Sequence, residues 1–575
     1  MMKPTISALT NWAKDNGADI SPEIEFTEDV VKGICAVARK ELSNAKIKVP
    51  ENIIISTQLA STYFPVDSGD GNTWLKLFLC KLKFQEELSF GPYIRNLPQT
   101  LNSPLVWNPN EWQLLEGTNL GNSLKDKLYK VFTEWYEFIV KYSHIFPSSP
   151  LGHDIDLYRR FDAVGSDELY ADILQHAAKG DAQLWYSLSA FLWAHLILLS
   201  RAFPEYIIHP GCNEGSVILL PLLDLLNHDA YTKVRWYSTN NNFYYEKLET
   251  TGAGQEVTNN YGPKGNEELL MGYGFVKECN EFDYVALKIK VPFETLETIL
   301  NSEDSIQLPS LDDYTTFAFE RPQTQSTREK DNILSYKDGV TYFINPRNDK
   351  CLILLLELFA YLSKAQTEKW SDLRPRLQGL QALRAALQSK LQQVSLFSDV
   401  SDPKTYSIDK YRRHCADIYR GGQRSVLKHS ISSIKAVEKS LIKQCGDQLL
   451  NLKKIMKSDP RFAQDELPSL FEGEDQNRVS FDDTLEIIVL WVATKVKYDT
   501  FNSKHMWVGQ QFRNFLKRSL SIEVTQDVKA LYAELFPQNK AKVSLDEVNL
   551  AYNFVLENTF TRSSSSNETI LVRNN

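Results

Sequence analysis

Two short runs between Leu219 and Phe275 constrain this chain more than any other stretch. The first, Leu219-Leu-Pro-Leu-Leu-Asp-Leu-Leu226, is apolar and stops abruptly on Asn227-His-Asp229. The second is Thr258-Asn-Asn-Tyr-Gly-Pro-Lys-Gly-Asn-Glu-Glu-Leu-Leu-Met-Gly-Tyr-Gly-Phe275. An apolar segment that ends on Asn-His reads as a buried element delivering polar groups to a site. Tyr261 has Gly262 beside it, so the backbone there is free to turn sharply or to admit a close neighbour. An aromatic hairpin lies between the runs: Val234-Arg-Trp-Tyr237 and Phe243-Tyr-Tyr-Glu246, joined by Asn/Thr/Ser-rich turn residues.

Elsewhere the hydrophobic period changes more than once. Ile6–Asn16 reads as a short amphipathic helix, with Leu9, Trp12 and Ala13 at helical spacing. Val30–Ala38 and Ile53–Ser56 read as strands, the first with Gly33 marking a bulge or a close backbone approach. From Trp74 to about Leu199 the period is helical, over Trp74–Phe84, Leu124–Tyr142 and Leu184–Leu199, with Pro/Asn-rich loops such as Gly91–Pro98 and Asn102–Pro109 between. His195, among apolar neighbours, reads as a structural histidine. In Ser200-Arg-Ala-Phe203, Arg201 either favours the helix dipole or clamps a carboxylate with its planar fork. Strands resume over Val217–Phe275, closing in a helix Asn266–Tyr273, and Val285–Val291 is one more. Helices follow at Cys351–Ala365, Arg374–Val394, Lys410–Cys445 and Phe481–Lys497, the third long enough to fold as a hairpin about Gly421-Gly422. Arg321–Asn332 reads as an exposed loop, and the tail from Thr561 as partly disordered.

Composition narrows the function classes. A chain of 575 residues asks for about three domains. An apolar fraction of 43% with 24% charged residues is that of a soluble globular protein. With no apolar run of about 18 residues and no apolar leader, no membrane segment is expected, and the cytoplasm, with the nucleus second, is the expected location. The seven cysteines form no C-x-x-C pair and no Cys/His cluster, which argues against a zinc site or a disulfide scaffold and for reduced thiols. A net charge of −9, from 64 basic and 73 acidic side chains, disfavours direct nucleic-acid binding and suits a basic protein substrate. A monomer is expected.

Asp224-Leu-Leu-Asn-His228, Asn260-Tyr-Gly262 and Asn266-Glu-Glu-Leu269 with Gly272-Tyr-Gly-Phe275, preceded by Ser200-Arg-Ala-Phe203, resemble the SET-domain lysine methyltransferases of the Rubisco large-subunit methyltransferase type. Arg201-Ala-Phe-Pro-Glu-Tyr206 and Asn102-Ser-Pro-Leu-Val-Trp-Asn-Pro109 are similar to the ribosomal lysine N-methyltransferases of yeast. The resemblance covers nearly the whole chain. It implies an α+β protein: a split, β-rich SET domain with a helical insert, followed by a mostly α-helical C-terminal domain. The expected divisions are 1–80 (an N-terminal helix and the first SET half), 81–190 (insert), 191–295 (second SET half, with the cofactor and lysine sites), 296–560 (substrate-binding domain) and 561–575 (tail).

The activity it implies is transfer of a methyl group from S-adenosylmethionine to a lysine of a large-subunit ribosomal protein, as mono- or dimethylation, with no metal. Carried onto this sequence, Tyr261 is the catalytic tyrosine. Lys32, Gly33, Ile34, Arg201, Asn227, His228, Tyr261 and Phe275 bind cofactor, with Asn227 and His228 as positioners and Arg201 on the carboxylate. Ser200, Phe203, Asp224, Tyr237 and Tyr273 line the lysine channel, with Trp236 or Tyr245 as alternatives to Tyr237. The family's Gly-x-Gly turn reads Val31-Lys-Gly-Ile34 here, so only its second glycine is kept. That departure is the one feature favouring a catalytically inactive, peptide-binding SET module. A translation elongation factor is the alternative substrate. A histone is disfavoured, because only Cys279 lies in Phe275–Ser310, where histone enzymes often carry a cysteine-rich zinc segment.

Overall fold

The computed structural model describes residues 4–29, 33–66, 69–84, 89–177, 184–213, 215–301, 306–309, 339–396, 406–470, 484–518, 522–536, 542–563 and 567–573. Their contacts divide the chain into two units. The first takes in the chain to Tyr284 and returns for residues 393–425; the second holds Val285 onward with 426–575. The stretch expected as one C-terminal helical domain is therefore shared between the units, and the boundary falls at Tyr284 rather than near 295.

Small sheets carry the first unit's β structure. Strands β1 (Asp19–Ile20), β4 (Ala45–Val49), β8 (Asn242–Lys247) and β7 (Val234–Thr239) form one sheet in that order, and β2 (Ile24–Asp29) pairs with β3 (Gly33–Ala38) in a hairpin. A third pair joins β5 (Ala202–Pro204) to β6 (Val217–Leu219). The β7–β8 turn uses Asn240 and Asn241 at φ 52° and 59°, the backbone that two-residue hairpins need and asparagine tolerates. In that hairpin Trp236 faces Tyr245 and Tyr237 faces Tyr244, so successive aromatics point to opposite sides of the sheet. The expected strand at Ile53–Ser56 is a 3-10 turn, Glu51–Ile53, plus a single bridge from Ile55 to Leu219. The residues before it, Ala45–Val49, alternate buried and outward positions and take the strand role instead.

The stretch of helical period from Trp74 to about Leu199 is helical: Gly71–Phe84, Asn119–Lys141 and Leu188–Arg201 pack around buried Trp74, Trp135 and Trp193. Their N-termini show why they start where they do, since the Thr118 and Ser187 side chains accept from the Gly121 and Ala190 N–H groups. His195 is half-buried, and burial, reinforced by the Lys76 charge, lowers its pKa to about 3, so it is a neutral interior group.

In the second unit β9 (Val285–Ile289) pairs with β10 (Val340–Ile344), beside helices such as Lys350–Ser363, Thr484–Tyr498 and Leu545–Asn558. Two expectations fail here. Lys410–Gln444 is one continuous helix and not a hairpin. The second glycine of the pair serves close packing within the first unit: a Cβ on Gly422 would lie 2.1 Å from an Asp283 carboxylate oxygen, whereas Gly421 faces open space. The tail is also ordered where it is described: β12 (Thr559–Ser563) and β13 (Asn567–Val572) pair, and β13 also pairs with β11 (Leu449–Asn451). Ile570, Leu571 and Val572 are buried, and this apolar trio outweighs the serine-rich composition before it. The loop expected at Arg321–Asn332 lies outside the described residues.

Candidate active site

The apolar run leaves β6 at Leu219 and turns at Leu222, a buried leucine held at φ 77° and ψ −43°. A branched side chain in the left-handed region is strained by about 1–2 kcal/mol and persists only when its surroundings impose it. Beyond it a 3-10 turn, Leu223–Leu225, carries Asp224 inward, and Asn227-His228 emerges as an extended segment. That segment lies parallel to the chain at Asn259: the Asn259 N–H donates to Asn227 O at 2.8 Å, and the Asp229 N–H donates to Asn259 O at 2.9 Å. The two runs singled out in the sequence thus cross side by side.

Side chains lock the crossing. The Tyr261 N–H donates to His228 Nδ1 at 3.1 Å, and the Tyr261 hydroxyl donates to Leu226 O at 2.7 Å. Because Nδ1 accepts, the neutral imidazole carries its proton on Nε2. Burial, reinforced by the Lys277 charge, lowers the His228 pKa to about 4, so the ring is an acceptor at neutral pH and not an acid. Burial pushes the Tyr261 phenol well above its ordinary pKa, which keeps its proton in place. His228 stacks on Tyr261 with ring centroids 4.9 Å apart, Tyr261 stacks on Tyr273 at 4.8 Å, and Phe275 meets Tyr273 edge-on at 6.2 Å.

The expected helix Asn266–Tyr273 is a short α-turn that widens into a π-turn over Leu269–Tyr273, a form concentrated at functional sites. Gly274 ends it at φ 77°, where a Cβ would come within 2.9 Å of Asn102 Cβ. Asn102 Nδ2 donates to Gly274 O at 2.6 Å and the Ser103 hydroxyl donates to Met271 O at 2.7 Å, so the insert loop buttresses the turn that carries Tyr273 and Phe275.

On the other flank Arg201 ends the helix Leu188–Arg201, and its Nη1 donates to Asp224 O at 2.7 Å and to Asp224 Oδ2 at 3.2 Å. Tyr93 donates its hydroxyl to the same Oδ2 at 3.0 Å. Burial raises the Asp224 pKa in spite of the Arg201 charge, and Asp224 Oδ1 is buried with no hydrogen-bond partner among the described residues. The Asn227 amide donates to Glu256 Oε1 at 2.7 Å and makes a long 3.5 Å contact with Ile34 O.

The remaining expected residues divide. Phe203 is buried on β5, edge-on to Trp236 at 5.4 Å, and the Trp236 indole N–H donates to Asn259 Oδ1 at 3.2 Å. Of the three alternatives, Trp236 therefore joins this cluster. Tyr245 is fully buried, with its hydroxyl donating to Thr258 O at 2.6 Å. Tyr237 points to the opposite face of the sheet, stacks on Tyr244 at 5.0 Å and hydrogen-bonds Glu246, so the structure does not bring it to the site. The period of two in a strand separates it from Trp236. The Ser200 hydroxyl bonds back to Leu196 O at 2.8 Å, inside its own helix. Gly33 sits exposed at φ 75° with open space around it; Lys32 lies outside the described residues. Tyr93, Glu256 and Asn259 enter the site unannounced. Asn259 lies inside the second run and Glu256 two residues before it, where proximity in sequence was the available signal, whereas nothing local marks Tyr93.

S-adenosylmethionine needs a cation for its carboxylate, an acceptor for its ammonium and apolar walls for its adenine. The outer guanidinium edge of Arg201, engaged by no other described residue, supplies the cation, and the Tyr261–Tyr273–Phe275 rings supply the walls; Asp224, expected in the lysine channel, has a fully buried side chain and holds Arg201 in place. No group of three or more His, Cys, Asp or Glu among the described residues is arranged to hold a metal ion.

Comparison with known proteins adds an independent line. Over 100% of both chains the sequence is 44% identical to ribosomal lysine N-methyltransferase 1 of Saccharomyces cerevisiae. It is 28% identical to protein-lysine N-methyltransferase EFM1 of the same yeast, over 92% of this chain and 90% of that one. Residues 318–445 match the model of the EFM1 middle domain. A solved structure of Rubisco LSMT bound to AdoMet shares the fold at a TM-score of 0.50 and 19% identity, covering 82% of this chain and 100% of the other.

Proposed function

The chain belongs to the SET-domain protein-lysine N-methyltransferases, and from that premise we propose that it methylates a lysine of a large-subunit ribosomal protein, adding one or two methyl groups. The observation that carries the reading is full-length identity of 44% to an enzyme named for ribosomal lysine methylation, together with the locked Asn227/His228–Tyr261 crossing. An acidic surface balance, −9 overall, supports a basic partner. Seven free cysteines support a reducing compartment, cytoplasm with nucleus second.

S-adenosylmethionine supplies a methyl group activated by a sulfonium. What the chain's own residues do follows from their geometry. Arg201, already anchored on Asp224, presents its outer edge to a carboxylate, while Asn227 and Ile34 offer amide and carbonyl groups. Tyr273, Phe203 and Trp236 wall a channel in which a lysine ammonium loses solvation, so its pKa falls from the usual value near 10.4 and the neutral amine becomes available as nucleophile. Tyr261 holds its phenol proton on Leu226 O and turns its lone pairs toward the reacting centre, orienting the amine. His228 fixes the Tyr261 backbone and moves no proton, in keeping with its lowered pKa.

The test is transfer from labelled S-adenosylmethionine to fractionated large-subunit ribosomal proteins from cells lacking the enzyme, read by intact mass. Tyr261→Phe should bind cofactor normally and turn over roughly tenfold or more slowly, the loss of one oriented transition-state contact. Equal turnover removes Tyr261 from the chemistry. Transfer to an elongation factor in place of the ribosomal fractions redirects the substrate.

A further inference from the structure

The second unit carries a cleft of about 830 Å³, between the helix Met506–Arg518 and the segment Thr367–Asp372. Lys504, Arg513, Arg518 and Arg573 line it, against the two acids Glu368 and Asp372. Both acids are engaged within the fold. Glu368 accepts from Arg374 Nε at 2.7 Å and from the Ala365 N–H at 2.8 Å, and Asp372 accepts from the Lys369 N–H at 2.8 Å. Arg518 is paired with Glu557 at 3.0 Å. Lys504, Arg513 and Arg573 are exposed and have no carboxylate within ion-pair distance among the described residues. A patch of unneutralised cations on a chain of net charge −9 is a local departure from the whole.

That charge is wrong for a basic ribosomal protein and right for a polyanion that accompanies one. We propose that this cleft binds single-stranded RNA, an inference that rests on the ribosomal-substrate reading above. The chemistry favours RNA over an acidic peptide. Arginine forks match phosphate oxygens bidentately. The partly exposed Trp507 lines the same cleft and offers a surface for a base to stack on. Gln510 and Asn514, three and seven residues along the same helix, bring carboxamides of the kind that pair with base edges. An acidic peptide needs the cations and has no use for the indole or the carboxamides. Total charge argued against nucleic acid because it averages over a surface on which these cations are clustered.

The experiment uses the full chain and a fluorescein-labelled oligouridylate, followed by anisotropy across a salt series. Wild type should bind, with log K falling against log salt by roughly 0.7 per phosphate contact. Arg513→Glu with Arg573→Glu should weaken binding about tenfold or more and flatten that slope by roughly 1.4, while Arg513→Lys with Arg573→Lys keeps most of the affinity. Both positions are exposed, so an unchanged thermal melt verifies the fold. Absence of oligouridylate binding at low salt overturns the proposal, as does unchanged affinity in the charge-reversed variant. Tighter binding of a polyglutamate peptide also overturns it and assigns the cleft to acidic peptides. Methyl transfer to isolated ribosomal proteins is scored in parallel. Its failure with RNA binding intact strikes the substrate reading alone, and the reverse strikes the cleft alone.

Discussion

Two buried aspartates, one in each unit, show opposite designs. Asp459 in the second unit has every oxygen satisfied: Oδ1 accepts from the Phe462 N–H and from Lys495, and Oδ2 accepts from the Trp491 indole at 3.0 Å and from Lys495 at 2.9 Å. Burial pushes its pKa up, but the bonds from Trp491 and Lys495 outweigh burial and hold it below the ordinary 3.8. Asp224 in the first unit has one oxygen shared by Arg201 and Tyr93 and the other with no partner among the described residues; there burial wins and the pKa is raised. A group built only to hold the fold is saturated by it. Asp224 is left unsaturated by the fold and holds Arg201, the cation at the site.

The comparison can be broken by mutation. Asp459→Ala should cost about 3 kcal/mol in chemical denaturation, because it strips a partner from Lys495, which is 1% exposed. Asp224→Ala should cost about 1 kcal/mol, since the Arg201 side chain keeps 22% of its surface exposed and can turn to water. Instead, it should weaken S-adenosylmethionine binding about tenfold by calorimetry, where Asp459→Ala binds as wild type. Equal destabilisation by the two changes, or normal cofactor affinity in Asp224→Ala, ends the distinction.

A sharper version uses Tyr93→Phe, which removes one hydrogen bond and little else. We expect a roughly threefold loss of cofactor affinity with turnover at saturation unchanged, on the order of one net hydrogen bond or less. A fall in turnover at saturating cofactor would show that Tyr93 acts on the chemistry and not on the placement of Asp224.

The smallest effect is in pH dependence, and its sign differs between the two. Asp224 binds its proton more tightly folded than unfolded, so its contribution to stability falls as pH rises from 3.8 through its raised value. Asp459 binds its proton less tightly when folded; its contribution is complete above 3.8 and is lost as pH falls through its lowered value. Denaturation of Asp224→Asn and Asp459→Asn against wild type across acid pH should therefore show differences of opposite slope. Slopes of the same sign would contradict the assignment.

Much of the architecture was legible along the chain. Helical periods at Trp74–Phe84 and Leu188–Arg201, the aromatic hairpin, and the two runs that meet at Asn227 and Asn259 are local patterns, and local patterns are what a sequence states directly. The misreadings share one cause. Gly421-Gly422 looks like a turn until Asp283 is known to press on Gly422; the tail looks disordered until β13 finds β11 and β12; and Tyr237 looks as good as Trp236 until strand parity assigns each a face.

What the sequence determined by itself was the inventory: an Asn-His run, an Asn-Tyr-Gly run, an arginine after a helix, and seven cysteines without a C-x-x-C spacing. These are fixed by residue type and spacing within a few turns of chain. Only the tertiary structure decided that His228 accepts from the Tyr261 backbone, that Tyr93 and Arg201 share one oxygen of Asp224, and that the cations beside Trp507 lie around one cleft. Such relations join residues tens to more than a hundred positions apart. Distance in space and loss of solvent, which set hydrogen-bond strength and pKa, are properties of the folded packing that no local pattern encodes.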